Sequence, residues 1–261
     1  MHFYQQTESG VIPRHYVEMS TKPGQLRPTR MSDVRKAAKD GSVWVPSVTT
    51  ILNVLDKPAL VNWKVEQHLR VFHRQNWTAF ESMDDEDEFV AEVKRLTELQ
   101  MDIAPSAGTD VHKVLQQYVT DETDNLSDAD WDICRKVFGE IETFAALGAP
   151  WDSESSFVSS GYGGQVDLVS KNIAGQLWVI DFKSKQSADK FKPGKMAYDD
   201  HRMQLAAYRM GLNMPTARCS NVFICLENGE VDFHEHTEDE LNKGWELFKH
   251  CLAIWKIQNG A

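Results

Sequence analysis

Three carboxylates and one lysine carry the chemistry this chain can do: Glu154 in WDSESSFVSS, Asp167 in QVDLVS, and Asp181 with Lys183 in VIDFKSK. Asp181 and Lys183 stand two apart in a stretch with strand character. They therefore project from one face, while Ile180 and Phe182 take the other, apolar one. A carboxylate and an ammonium buried at the edge of a sheet form either a satisfied ion pair or part of a metal site with a catalytic base. An Asp-x-Lys alone does not separate the two. Glu154 and Asp167 add company, because three neighbouring strands of a meander bring all three carboxylates together. Such a cluster is relieved only by a divalent cation or by shifted pKa values. Oxygen donors suit Mg²⁺ or Mn²⁺, whereas zinc needs more His and Cys than this neighbourhood offers. His234 and His236 have a spacing that suits zinc, yet two ligands do not make a site.

The elements that must position these residues follow from periodicity. From Trp151 the pattern is that of strands: WDSESSFVSS, a turn at GYGG, QVDLVS, a turn at 172–175, then LWVIDFKSK, an antiparallel meander. A basic, poorly patterned segment with Lys185, Lys190, Lys192, Lys195 and Arg202 leads into a helix, HRMQLAAYRMGLN. NVFICLE, Asn228-Gly229 and EVDFHEH read as a hairpin with a two-residue turn. Thr237 and Glu240 form a capping box for a last helix with Leu241, Trp245, Phe248, Leu252 and Trp255 on one stripe. Upstream, SAGTDVHKVLQQYV is helical, with His112 at the margin of a stripe made by Val111, Leu115 and Tyr118. A second helix over 127–148 starts at the capping box SDAD and is ended by Gly148 and Pro150. Ser47 caps a short helix that Pro58 interrupts, and another begins near Leu60. The stretch 81–92 holds seven acidic residues in twelve and reads as a solvated helix start. Residues 1–45 read as short strands and loops. Without an internal repeat, the whole is one α+β domain over 1–261, with 1–45 an N-terminal extension and 46–105 a helical segment over the core.

Composition bounds the partners. Lys and Arg total 28 against 39 Asp and Glu, a net charge of -11, which excludes non-specific coating of nucleic acid and confines any such site to a local groove. Trp44, Trp63 and Trp77 either stack on bases or belong to the core. No apolar run approaches the ~20 residues of a membrane span, and the first residues lack the pattern of a secretory signal, so a cytoplasmic protein is expected. The four cysteines form no Cys-x-x-Cys and read as free buried thiols.

The order Gly108-x-x-x-His112, Glu154, GGQVDLVS, VIDFKSK and Gln204-x-x-x-Tyr208 resembles the PD-(D/E)XK nuclease superfamily in its RecB-type branch. Within that branch it is similar to the mitochondrial genome maintenance exonuclease and its phage-encoded relatives, through the PSVTTIL segment near residue 46 and the AYRMGLN continuation. The resemblance covers roughly residues 46 to 255, and the family's usual Pro-Asp opening is replaced here by Gly163-Gly164-Gln165-Val166-Asp167. It implies a restriction-endonuclease-like mixed central sheet flanked by helices. It implies that His112, Asp167, Asp181 and the Phe182 carbonyl bind Mg²⁺ or Mn²⁺, with Glu154 a further carboxylate. Lys183 would orient or deprotonate the attacking water, while Gln204 and Tyr208 would touch the nucleic-acid backbone or brace Lys183. The implied activity is a metal-dependent DNA exonuclease on single strands or frayed ends, in replication, recombination or repair, with Lys190, Lys192 and Lys195 along the path of the strand. The alternatives are a RecB-type endonuclease or recombination exonuclease on duplex DNA, and an inactive DNA-binding module on the same fold. If the chain is phage-encoded, its place is the host cytoplasm.

Overall fold

The computed structural model describes residues 1–19, 22–74, 86–101, 103–144, 150–170 and 177–260. The expected turn at 172–175, Gly148, Trp77 and the first residues of the acidic stretch lie outside the described residues. Chain contacts divide the protein into two compact units, one made of Met1–Leu55 with His112–Ala261, the other of Asp56–Val111.

The first unit opens with β1 (Phe3–Thr7), β2 (Gly10–Pro13), β3 (Tyr16–Met19), β4 (Lys22–Pro28), α1 (Met31–Lys39), β5 (Trp44–Pro46) and α2 (Val48–Leu52). Helix α1 is the one element of this stretch that periodicity missed. Asp33 starts it by accepting the Arg30 backbone N–H at 2.8 Å and the forked Arg27 guanidinium at 2.8 Å on each oxygen, and Met31 and Val34 pack against the core. Ser47 caps α2 as expected, its hydroxyl accepting from the Thr50 N–H at 3.0 Å.

The second unit holds α3 (Pro58–Arg74), α4 (Glu86–Met101) and the start of α5 (Ile103–Val119). Pro58 opens α3 rather than interrupting the helix before it. Its missing N–H costs nothing in a first turn. Phe72 and Phe89 meet edge to face at 5.8 Å between α3 and α4.

From His112 on, the first unit continues through the rest of α5, α6 (Asp128–Phe144), β6 (Trp151–Ser159), β7 (Tyr162–Ser170), β8 (Trp178–Lys185), α7 (Asp199–Gly211), β9 (Arg218–Cys225), β10 (Val231–His236) and α8 (Glu238–Asn259). The central sheet has the order β10-β9-β8-β7-β6. All its neighbours are antiparallel except β8 and β9, which run parallel. A parallel pair cannot be joined by a tight turn, so the chain must cross over between them, and α7 is that crossover. This is an α+β fold built on a mixed five-stranded sheet with helices against it, as the sequence predicts.

Apolar side chains of the sheet, among them Val169, Val179 and Cys219, join Met203, Ala206 and Ala207 of α7, Leu241, Phe248, Cys251 and Trp255 of α8, and Val48, Ile51 and Leu52 of α2 in one buried cluster that also holds Phe3. Each fully buried Val, Leu, Ile, Met or Phe side chain contributes ~1.5–3 kcal/mol. Elsewhere on the sheet Trp178 and Phe233 meet at 5.8 Å, and Phe144 of α6 stacks on Phe233 at 4.8 Å. All four cysteines are free and buried.

Two turns differ from the sequence reading. The β6–β7 reversal falls at Ser160-Gly161, where Gly161 has a φ of 90°. Gly163 and Gly164 lie inside β7 instead, and a Cβ on Gly163 would stand 2.8 Å from the Phe157 carbonyl oxygen and 3.0 Å from the Tyr4 Cβ. The β9–β10 loop is longer than two residues. The Cys225 N–H donates to the Glu230 carbonyl (2.8 Å) and the Gly229 N–H to the Cys225 carbonyl (2.8 Å), enclosing Leu226 to Gly229. The Asn228 side chain accepts from the Glu230 N–H (2.9 Å), a local bond that competes with the tighter hairpin.

Gly211 closes α7 directly against the Phe157 ring, where an added Cβ would fall 2.0 Å from Cε2. Gly139 in α6 has no atom within 4 Å of the same position. Gly211→Ala is therefore expected to cost about 1–3 kcal/mol by overpacking, and Gly139→Ala to stabilise by about 0.5–1 kcal/mol through helix propensity. Urea midpoints of the two variants against the parent chain measure both.

Candidate active site

The strand registers put the singled-out residues in one row. In the β6–β7 ladder Glu154 falls opposite Asp167, between the pairs Ser153–Leu168 and Ser155–Val166. One step beyond the two β7–β8 pairs, Leu168–Ile180 and Val169–Val179, Asp167 falls opposite Asp181. Across the parallel pair Asp181 faces Asn221, and Asn221 in turn pairs with His234. Cross-strand partners share a face, so three carboxylates run across three adjacent strands, which is the convergence the sequence predicts.

The sheet pays a local distortion for that row. Glu154 has a φ of 53°, a left-handed backbone that a non-glycine residue adopts at a cost of about 1–3 kcal/mol. The β7–β8 ladder stops short of Asp167, and the Phe182 N–H donates to Asp167 Oδ2 at 2.6 Å. On the other oxygen, His112 Nδ1 of α5 stands 3.5 Å from Asp167 Oδ1, and the His112 ring meets the Phe182 ring edge to face at 5.9 Å.

Asp181 is 3% exposed, and its partners account for both oxygens. Lys183 Nζ donates to Oδ2 at 2.6 Å and Asn221 Nδ2 to the same oxygen at 2.9 Å, while Gln204 Nε2 donates to Oδ1 at 3.0 Å. Gln204 reads both members of the pair, because its Oε1 accepts from Lys183 Nζ at 3.1 Å. The remaining Nε2 hydrogen goes to the Tyr208 hydroxyl at 2.8 Å, one turn along α7. Gln204 and Tyr208 are themselves buried. Because α7 is the crossover between β8 and β9, its inner face necessarily lies over the strand that carries Asp181 and Lys183.

Electrostatics follow from this crowding. Burial, then the neighbouring Asp167, push the Glu154 carboxyl up to about 7. Burial also raises Asp181, against the pull of Lys183. For Lys183 burial opposes the charged form, but Asp181 and Asp167 outweigh it and the ammonium is held above its ordinary range. His112 behaves alike: burial works against its cation, and the bond to Asp167 with the charges of Asp167 and Asp181 raises it nonetheless.

The donor set of Glu154, Asp167 and Asp181 is rich in oxygen, is mutually repelling, and has the chemistry of a hard divalent cation. Among the described residues no three His, Cys, Asp or Glu side chains are already gathered as a coordination shell. The Asp181 oxygens are engaged by Lys183, Gln204 and Asn221, and Asp167 Oδ2 by the Phe182 N–H, instead. Charge and donor type fit Mg²⁺ or Mn²⁺, while the inner ligands must exchange these protein partners for the cation.

Other expected residues lie apart. Lys190, Lys192 and Lys195 are exposed, and their side chains make no hydrogen bond or ion pair among the described residues. Their segment is pinned by Phe191 and Met196, which pack on Phe223 and Cys225, and by the Gly194 N–H on Asp232 (2.9 Å). Trp44 packs against the core with Arg14 over its ring at 5.4 Å. His236 is buried on Asn221 and belongs to no metal-binding group among the described residues. Sequence reasoning missed Asn221, Tyr4 and Tyr198. Asn221 sits mid-strand in NVFICLE with no motif to mark it. Tyr4 comes from the N-terminal strand, and burial followed by the Glu154 charge pushes its hydroxyl up to about 12. Tyr198 is 59% exposed just ahead of α7, with Lys185 Nζ 5.2 Å from its ring centre.

The raised Glu154 pKa predicts a sign for the pH dependence of stability. Below the ordinary value of 4.5 the group is protonated in both the folded and unfolded chain. Between there and about 7 the unfolded chain releases the proton first, so stability falls as pH rises through this window and stays reduced above it. Glu154→Gln is expected to remove that loss. In EDTA the variant should melt higher than the parent at alkaline pH and show no such advantage near pH 4.5, as scanning calorimetry across the range will read.

No protein-family model matches the chain, and no curated protein matches it. Among solved structures it is distantly similar to the crystal structure of SSO0001, with 16% identity over 51% of this chain and 66% of that one at a TM-score of 0.27. It is also similar to the structure named "Putative exonuclease" from Eubacterium rectale, with 12% identity over 59% of this chain and 68% of that one at a TM-score of 0.38. The chain thus spans about two thirds of the length of each, and likenesses this distant assign no role to any residue.

Proposed function

We propose that this protein is a metal-dependent deoxyribonuclease that hydrolyses phosphodiester bonds, working as an exonuclease on single-stranded DNA or frayed ends. The observation that carries this reading is the pair of buried Asp181 and half-buried Lys183, clamped by Gln204 and set in one cross-strand row with Asp167 and Glu154. A structural ion pair explains two of these residues and gives no reason for two further carboxylates beside them.

On this reading His112, Asp167, Asp181 and the Phe182 carbonyl hold Mg²⁺ or Mn²⁺, with Glu154 beside them, and the cation supplies a nucleophile at neutral pH and a Lewis acid for the phosphate. The chain's own residues do the rest. Lys183 keeps its ammonium charged and offers Nζ protons to the water or to charge building on the scissile phosphate. Gln204 fixes where that ammonium points, and Tyr208 fixes Gln204. Burial and Asp167 raise Glu154 in the metal-free protein, and a cation beside it would favour its charged form, leaving a carboxylate to accept a proton next to the reacting group. Tyr198 offers an exposed ring for stacking on a base, and a splayed base is available only in a single strand. The reading of an inactive DNA-binding module draws on one observation, the engagement of Asp181's oxygens by protein partners.

One assay separates these readings: end-labelled linear single-stranded, duplex and circular DNA incubated with Mg²⁺, Mn²⁺ or EDTA. Linear single strands should be degraded, circles spared, and EDTA should abolish cleavage. Lys183→Ala should lose about a thousandfold in rate, or ~4 kcal/mol, while calorimetry still finds Mn²⁺ bound; undiminished cutting by that variant would remove Lys183 from the mechanism. Asp181→Asn should lose both cleavage and Mn²⁺. It should also melt lower than the parent, because the half-buried Lys183 ammonium loses its counter-ion.

Lys190, Lys192 and Lys195 are proposed to line the path of the strand. Replacing all three by Ala should weaken binding of single strands equally for all sequences and lower the salt dependence by about 0.7 per lost phosphate contact. Titrations with Ca²⁺, over a series of salt concentrations, measure the slope without relying on cleavage.

A further inference from the structure

The row of carboxylates does not end at Asp181. Its next member, Asn221 of β9, is fully buried, and its amide nitrogen donates to Asp181 Oδ2 at 2.9 Å. That bond fixes the orientation of the amide and leaves Oδ1 as the only group Asn221 can turn toward β10. There His236 Nε2 stands 2.8 Å away. A carbonyl oxygen only accepts, so Nε2 must carry the proton. His236 Nδ1 is buried with no hydrogen-bond partner among the described residues, and the charge of Glu240 does not offset burial and the neighbouring His234. The ring is therefore a neutral Nε2–H tautomer, in keeping with a pKa lowered to about 4 by burial first and by His234 next. Two buried polar residues joined in this way make a directed chain, from His236 through Asn221 to Asp181. Gln204 grips the opposite oxygen of the same carboxylate.

We infer that His236 acts through Asn221 as a positioning residue for Asp181, holding the plane of its carboxylate from the β9–β10 side. This inference rests on the role of Asp181 proposed above. Its physical content lies in what happens when Lys183 turns to substrate. Lys183 then no longer anchors Oδ2, whereas the Asn221 amide still does, and only an Asn221 held from behind keeps its own angle. Metal ligands depend on such outer partners, whose removal typically costs about 10–100-fold in affinity or activity. A bond needed only for stability behaves differently: losing His236 alone leaves a buried Asn221 oxygen unpaired and lowers the melting temperature, but does not change kcat or Mn²⁺ affinity of the folded protein.

The test uses the full chain and three variants. His236→Gln keeps an N–H at the reach of Nε2. His236→Asn keeps a neutral amide one methylene too short, and His236→Leu removes the donor. With linear single-stranded DNA and Mn²⁺, His236→Leu and His236→Asn should lose about 10–100-fold in kcat and in Mn²⁺ affinity with KM little changed, while His236→Gln recovers most of both. Melting curves confirm that the proteins compared are folded, and the Gln/Asn pair keeps the comparison available should His236→Leu not fold. Imidazole ¹⁵N shifts of the parent protein should show His236 as the single Nε2–H tautomer, still neutral at about pH 6. Wild-type kcat in folded His236→Leu and His236→Asn, or an Nδ1–H tautomer in the parent, would overturn the inference and leave the nuclease reading standing. A parent protein that neither cuts DNA nor binds Mn²⁺ would overturn that reading instead, and the positioning role with it.

Discussion

The structure depends on one electrostatic constraint: three carboxylates stand side by side on adjacent strands, and the most buried of them, Asp181, cannot be charged there without a cation in contact. Lys183 is that cation, two residues along the same strand and on the same face. A lysine on the neighbouring strand would answer the charge equally well but would not travel with it. Placing both on β8 makes the pair a local property of one strand, so that the rest of the fold need only orient it. The orientation comes from Gln204, and Gln204 is available because β8 and β9 are parallel and their connection must pass back over the sheet.

The same constraint accounts for features that look like defects when taken separately. The β7–β8 ladder is short because Asp167 takes the Phe182 N–H that would otherwise face a strand partner. Glu154 adopts a left-handed backbone in the middle of a strand, where burial and then the adjacent Asp167 raise its pKa. The N-terminal strand closes the flank of this region: Ser47 bridges to Gly163, and the Tyr4 side chain comes so near Gly163 that a Cβ would collide with it. The pair Gly163-Gly164 thus serves close packing of β1 and of Phe157 and Tyr208 against β7, which is a different demand from a turn.

Much of this was legible in the sequence, for identifiable reasons. The side-chain period of two placed Asp181 with Lys183, and the capping boxes at Ser127 and Thr237 fixed the starts of α6 and α8, where Asp130 and Glu240 bond back to their caps. The meander predicted the convergence of Glu154, Asp167 and Asp181, since cross-strand neighbours need only correct pairing. What stayed hidden depends on long-range register. Nothing about Asn221 in NVFICLE distinguishes it until the parallel pairing sets it beside Asp181. The spacing of His236 to His234 suits zinc without making a site, and nothing in it points to Asn221, to which the pleat and burial direct His236. Helix α1 escaped notice because its start is signalled by an aspartate in the first turn and an arginine outside it, rather than by a standard cap.

The net charge of -11 poses a last question for a protein proposed to hold DNA, and ion pairing answers it. Several basic side chains are neutralised at once by carboxylates beside them: Arg27 by Asp33, Arg95 by Glu92, Lys136 by Asp132, Lys243 by Asp239 and Lys249 by Glu246. Such surface pairs add little stability, but they cancel field at a distance. Lys190, Lys192 and Lys195 have no such partner among the described residues, and the segment that bears them runs from the end of Lys183's own strand to the start of Gln204's helix. With screening over about 8–10 Å, what a phosphate senses at the site is this local balance rather than the charge of the whole. On the proposed path that balance sets Lys190, Lys192 and Lys195 against Asp189 and Asp232, so an acidic chain can hold a strand there only where the local charge, and not the sum, favours the phosphate.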